Sequence, residues 1–84
     1  MKSRTTPSFK KRYRALPADI QALALDAYKL WLQNPDLPGL RFKRVGDDVS
    51  VRIDRNYRAL GILQGDTVTW YWIGPHDEYM RLIK

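Results

Sequence analysis

Hydrophobic residues recur along this chain with two different periods, and the change of period divides it in two. The first half is helical in pattern. Phe9, Tyr13 and Leu16 fall at i, i+4 and i+7, one face of a helix, and Lys10, Lys11, Arg12 and Arg14 cover the remainder. Pro7-Ser8 opens this short, basic, amphipathic segment. Pro17 interrupts it and suits the first turn of a second helix. There Ile20, Leu23, Ala24, Ala27, Leu30 and Trp31 repeat at helical spacing, and Leu25, Tyr28 and Leu32 widen the apolar arc. Polar relief comes only from Asp19, Gln21, Asp26, Lys29 and Gln33, so this helix is expected to be covered on more than one side. The breakers Asn34-Pro35-Asp36-Leu37-Pro38-Gly39 end it.

Beyond Gly39 the period drops to two. Val49, Val51 and Ile53 alternate with Ser50, Arg52 and Asp54, the mark of a half-buried strand. Tyr57 to Leu63 and Thr67 to Ile73 read as two more strands, and Leu40 to Val45 as a fourth at one end. Gly46-Asp47-Asp48, Asp54-Arg55-Asn56 and Gly65-Asp66 punctuate them, and Gly65-Asp66 fits a two-residue hairpin loop. Loops this short make consecutive strands antiparallel. Thr5-Thr6 is too short to read as a strand. The predicted architecture is α+β: two N-terminal helices packed on an antiparallel four-stranded sheet, followed by a short C-terminal helix or turn from Gly74. Trp70 and Trp72 are expected to face the helices, and Tyr71 the open face. No repeat, linker or low-complexity tract breaks residues 1–84, which read as a single domain.

Size and composition narrow the class. At 84 residues the chain buries roughly 60–65% of its unfolded surface, enough for one sheet and one helical layer. There is no cysteine, hence no disulfide framework and no thiolate chemistry. No apolar run approaches the ~18 residues a membrane span needs, and Met1-Lys2-Ser3-Arg4-Thr5-Thr6-Pro7 leads into no apolar segment of the secretory kind. The expected location is the cytoplasm.

Charge adds a partner. Fifteen Lys and Arg oppose nine Asp and Glu, a net +6. Residues 1–14 hold six basic side chains and no acid; residues 41–58 hold six more, namely Arg41, Lys43, Arg44, Arg52, Arg55 and Arg58, against three Asp. Such clustering points to a phosphate-rich partner. The competing reading is a solvated face ion-paired to Asp47, Asp48 and Asp54. No phosphate-cradling glycine loop, nucleophile elbow or metal-ligand spacing is present, and the chain has one histidine. What remains is a set of cations on strands. If Val49, Val51 and Ile53 point into the core, Ser50 and Arg52 point the other way. Arg58 on the next strand and Arg41 or Lys43 on the preceding one then share that surface in a twisted sheet. His76, of the one residue type that titrates near neutrality, follows a strand end at Gly74-Pro75 and is expected to be accessible. Tyr79 either assists it or packs on the sheet.

The order of these strings resembles a known family. Leu32-Gln33-Asn34-Pro35 closes the long helix. Leu40-Arg41-Phe42-Lys43-Arg44-Val45 leads to Val49-Ser50-Val51-Arg52-Ile53 and Tyr57-Arg58-Ala59-Leu60-Gly61, and Trp72-Ile73-Gly74-Pro75-His76-Asp77-Glu78-Tyr79 follows. From about Phe9 to Leu82 this order and spacing is similar to the RelE/ParE superfamily of toxins from bacterial type II toxin–antitoxin systems, the plasmid-stabilisation type included. The resemblance implies a toxin neutralised by a cognate antitoxin. RelE-type members cleave mRNA, commonly in the ribosomal A site, without metal or cofactor; ParE-type members inhibit DNA gyrase. On the RNA-cleaving side, Arg58 would clamp the phosphate and Arg52 would add a second cation. His76 would be the acid or base, with Tyr79 as helper or stacking group. Lys10, Lys11, Arg12, Arg41, Lys43, Arg44 and Arg55 would hold RNA backbone. Ser50 stands where the best-studied RelE-type pattern has a basic residue, and the N-terminal strand is short or missing. The alternatives therefore stay open: a gyrase inhibitor, a weakened member that only binds its partner, or a basic nucleic-acid-binding domain with no toxin role. An extended antitoxin segment is expected on the Ile20–Leu32 helix and the basic face.

Overall fold

A computed structural model describes all 84 residues. The elements run β1 (Lys2–Thr5), α1 (Pro7–Arg14), α2 (Ala18–Gln33), a 3₁₀ turn (Pro38–Leu40), β2 (Lys43–Val45), β3 (Asp48–Asp54), β4 (Tyr57–Gln64), β5 (Thr67–Pro75) and α3 (His76–Leu82). Thr6 caps α1 by accepting from the Phe9 N–H at 3.1 Å, with Pro7 in the first turn. Lys11, Arg12 and Arg14 in its last turn complement the helix dipole. At the far end of α2, the Asn34 side chain accepts from the Asp36 N–H at 3.0 Å and turns the chain away.

The sheet has five strands in the order β1-β5-β4-β3-β2, one more than the sequence pattern shows. The extra strand is β1, which runs parallel to β5 from Lys2 opposite Thr67 to Thr5 opposite Trp70. Its sequence, Lys-Ser-Arg-Thr, carries no alternation because it sits at an edge and buries almost nothing. What fixes it is backbone pairing, including Lys2 N–H to Asp66 O at 2.8 Å and Thr6 N–H to Trp70 O at 3.0 Å. The sheet is therefore mixed rather than purely antiparallel. At the other edge β2 is shorter than Leu40–Val45: Leu40 belongs to the 3₁₀ turn and Arg41 follows in the left-handed region at φ 46°.

Helices α1 and α2 cover one face. Val49, Val51, Ala59, Val68, Trp70 and Ile73 from the strands meet Ala24, Ala27 and Trp31 from α2, with Phe9 and Tyr13 of α1 and Leu16 just beyond it at the margin. Trp31 is 1% exposed and meets Phe42 and Trp70 edge-to-face at 5.6 and 5.4 Å. Such pairs add about 0.5–1.5 kcal/mol beyond area burial. The indole N–H groups of Trp31 and Trp70 are buried without a hydrogen-bond acceptor, and edge-to-face packing is the arrangement in which a ring N–H meets a neighbouring π face.

Trp72 does not join them. In the β4–β5 ladder Gly61 pairs with Trp70 and Leu60 with Trp72, so Tyr71 is an extra residue. This bulge reverses the alternation of β5. Val68 and Trp70 face α1 and α2, whereas Trp72 turns to the opposite face and packs with Leu60 and Tyr79 of α3. Tyr71 also lies on that opposite face, where its hydroxyl donates to the Asp48 carboxylate. Burial first, and then this hydrogen bond and the Asp48 charge, push the Tyr71 pKa up to about 12. The folded state thus holds the phenolic proton more tightly than an unfolded tyrosine near 10 does, so this stabilisation is full below pH 10 and lost between pH 10 and about 12. Tyr71→Phe is expected to flatten the alkaline limb of a urea-stability profile across that window. An unchanged limb would show that other groups control it.

Helix α2 is also less covered than its composition implies. Only Ile20, Ala24, Ala27 and Trp31 are buried; Leu23, Leu25, Tyr28, Leu30 and Leu32 stay exposed. No helix is long and apolar enough to cross a membrane.

Candidate active site

The face of the sheet opposite α1 and α2 carries the cations. Cross-strand register places Lys43, Ser50, Leu60 and Trp72 in one row, and Arg52, Arg58 and Gly74 in the next. Strand β5 passes directly into α3, and the His76 N–H donates to Asn56 O at 2.7 Å. That bond ties the start of α3 to the β3–β4 turn. Tyr79, one turn on, drops its ring onto Leu60 and Trp72. Between α3 and the strands a cleft of about 230 Å³ remains.

Arg41, Lys43, Arg52 and Arg58 all line this cleft, as does His76. No carboxylate lines it. Of the acids expected as ion-pair partners, Asp48 accepts from Tyr71, and the Asp54 carboxylate accepts from the Asn56 N–H at 2.8 Å in the β3–β4 turn. No group of three or more His, Asp and Glu side chains comes together.

Arg58 is the best-held of the cations. One of its terminal nitrogens donates to the backbone carbonyls of Asp54 and, at 2.9 Å, Tyr57. A guanidinium has five N–H donors, so the rest of the fork stays free. Arg52 stands directly opposite it on β3. Like charges so placed destabilise a sheet. Burial, followed by the charges of Arg52 and Arg41, lowers the Arg58 pKa from its ordinary value, while Tyr79 and Asp54 act against this. The guanidinium remains protonated, because the starting value is so high. The lowering records first the cost of burying this guanidinium and then that of crowding it with other cations.

Arg41 contributes a second strained feature. It is the one non-glycine residue with positive φ, at 46°. The left-handed region costs an L-residue roughly 1–2 kcal/mol. Arg41→Gly is therefore expected to leave stability unchanged or raise it by up to about 1 kcal/mol while weakening polyanion binding. Thermal unfolding and RNA filter binding on one preparation check both halves; a destabilised variant would remove the strain argument.

Tyr79 and Ser50 form the floor. The Tyr79 hydroxyl donates to Ser50 Oγ at 3.0 Å, and the two residues are 3% and 2% exposed. With its ring in the core, Tyr79 presents its hydroxyl end rather than a stacking face. Ser50 faces away from the α1 and α2 side, as the alternation of β3 predicts; its contact with Tyr79 depends on a helix 29 positions away and has no local signal. The His76 and Tyr79 rings lie 5.9 Å apart.

The remaining basic residues do not converge on the cleft. Lys10 lines a separate groove on the helical face. Arg12 extends over the Trp72 ring at 5.9 Å. Lys11 and Arg55 are exposed, on α1 and in the β3–β4 turn. Arg44, exposed on β2, pairs with Val49 and so sits on the opposite face from Lys43.

This arrangement of helices, mixed sheet and C-terminal helix has known counterparts. A family model of the ParE-like toxin domain matches residues 18–81. The chain belongs to this family. Among solved structures, the RelB–RelE antitoxin–toxin complex of Methanococcus jannaschii superimposes with a TM-score of 0.70 at 16% identity, covering 96% of this chain and 99% of that one. The YoeB/ParE toxin of Agrobacterium tumefaciens gives 0.69 at 16% identity, with 90% and 99% covered. The RelBE2 toxin–antitoxin complex of Mycobacterium tuberculosis gives 0.67 at 21%, with 89% and 96% covered. These likenesses establish a RelE/ParE-type toxin fold over nearly the whole ParE-like chain. No curated protein matched at a significant level.

Proposed function

We propose that this ParE-like toxin is a ribosome-dependent mRNA endoribonuclease held in check by a cognate antitoxin. The observation that carries this reading is the convergence of Arg41, Lys43, Arg52 and Arg58 with His76 in one cleft free of carboxylates. In the reaction the 2′-oxygen bonds to phosphorus and the P–O5′ bond breaks, leaving a 2′,3′-cyclic phosphate and a 5′-hydroxyl. His76 takes the 2′-hydroxyl proton, water gives one to the departing 5′-oxygen, and the imidazolium returns its proton to the hydroxide so formed. Tyr79 is committed to Ser50, so proton transfer falls to His76. Arg58 and Arg52 neutralise the charge that grows on the phosphorane oxygens, commonly the largest single contribution to such catalysis.

The test is cleavage of mRNA on purified translating ribosomes by the wild-type chain, Arg58→Ala and His76→Ala. Site-specific cleavage lost in both variants supports the reading. No cleavage of ribosomal or free RNA, together with arrest of supercoiling by DNA gyrase, would replace it with the ParE-type inhibitor.

The antitoxin has a fitting surface on the other face. A groove of about 500 Å³ lies between α1 and α2, floored by core residues such as Val51, Ala59 and Trp70 and flanked by Leu25 and Tyr28. Lys10 and Arg14 line it without any acid. Its complement is an apolar segment with acidic flanks. Leu25→Glu is expected to keep cleavage but escape neutralisation by the cognate antitoxin, as co-expression would show. Full neutralisation of that variant would move the antitoxin elsewhere.

A further inference from the structure

The cleft is built from two unlike sets of side chains. The strands and the turn before β2 supply Arg41, Lys43, Arg52 and Arg58; α3 supplies Met80, and Ile83 follows at its C-terminal cap. A bare anion has no use for the second set. Met80 nevertheless leaves a large apolar side chain 40% exposed beside four cations. Of the rings at the cleft, Tyr79 is buried with Trp72 in the cluster beneath α3, and the His76 imidazole is taken up by proton transfer. Met80 is the available substitute, since a thioether is polarizable, adapts its shape and packs well on flat π systems. The volume of about 230 Å³ suits one base with its phosphate rather than a folded peptide.

We infer that Met80 and Ile83 seat the nucleobase adjoining the phosphate held by Arg58, so that the cleft binds one ribonucleotide and not an anion alone. The inference rests on the nucleolytic reading of the same cleft and adds the base contact to it. An aliphatic and thioether wall has no N–H or O–H to offer a base edge. Discrimination therefore follows contact area: purine over pyrimidine, with no strict base identity. Because Met80 lies on α3 and the cations lie on the strands, the two halves of the site are separable by mutation.

The experiment is an NMR titration at one fixed salt concentration with inorganic phosphate, adenosine 3′-monophosphate and cytidine 3′-monophosphate. The wild-type chain is expected to bind the adenosine nucleotide about tenfold more tightly than phosphate, with the cytidine nucleotide between them. Met80→Ala should remove most of that margin and leave phosphate binding as it was. Met80→Gln, which keeps the length but not the apolar contact, should act the same way and guards against a packing defect. Arg58→Ala should weaken all three ligands. Phosphate bound as tightly as either nucleotide would overturn the base seat alone, as would a Met80→Ala variant that loses phosphate and nucleotide equally. Binding of none of the three would overturn the phosphate clamp as well.

Discussion

Arg58→Ala is expected to lower the rate of mRNA cleavage on ribosomes by about 10²–10³-fold, the range found when one preorganised charge-stabilising donor is removed. The reason is geometric. Its guanidinium is anchored on the Asp54 and Tyr57 carbonyls, so its free N–H groups are already aimed when the phosphate arrives. Lysine keeps the charge but not the planar fork. Arg58→Lys should therefore recover only a small part of the lost rate. His76→Ala should cost about 10²–10⁴-fold, the range for a positioned acid or base. Single-turnover cleavage separates these losses from weaker binding. If Arg58→Ala cleaved at the wild-type rate, the phosphate would have to sit elsewhere and the assignment of the cleft would fall.

The largest expected effect on folding belongs to Gly61→Ala. A Cβ built at Gly61 comes within 2.6 Å of Val68 Cγ1 and 2.9 Å of Trp70 Cε3. Neither neighbour has room to yield: Val68 is wholly buried and Trp70 is wedged against Trp31 and Phe42. Overpacking of this kind costs typically about 1–3 kcal/mol, and two rigid neighbours place this site towards the upper end. In a domain of this size that is a fall of roughly 10–20 °C in Tm. Gly39→Ala is the control, because nothing lies within 4 Å of its added Cβ. Its stability should stay within about 0.5 kcal/mol of wild type. Urea midpoints at constant m-value would decide the comparison. Equal midpoints would mean that the bulge relaxes at little cost.

Gly61 also shows where a sequence pattern loses information. Reading Thr67 to Ile73 at period two puts Trp70 and Trp72 on one face. The bulge at Tyr71 separates them, and nothing in the local string marks it. Its position depends on how β4 pairs with β5, a contact between residues about ten positions apart. The result matters for the site, because Trp72 on the far face gives Tyr79 something to pack on and so positions α3 above the cations. β1 escaped for a different reason. Pairing at an edge needs only backbone groups, which every residue has, so Lys-Ser-Arg-Thr bears no signature of it.

The sequence by itself determined the two helices, the three long strands and the α+β class, because burial of one face imposes a period that composition cannot hide. It also placed Arg52 and Arg58 opposite the core-facing valines, since alternation along a strand is a local rule. Alternation also put Arg41 or Lys43 on that surface, but only tertiary structure decided that both line the cleft with His76 while Lys10 and Arg44 do not. Tertiary structure alone committed Tyr79 to Ser50, left Met80 at the cleft, and uncovered the flanks of α2. These outcomes turn on strand order, one bulge and the angle at which a seven-residue helix leaves β5. Each is a relation between segments distant in the chain, and charge or periodicity within one segment carries no record of it.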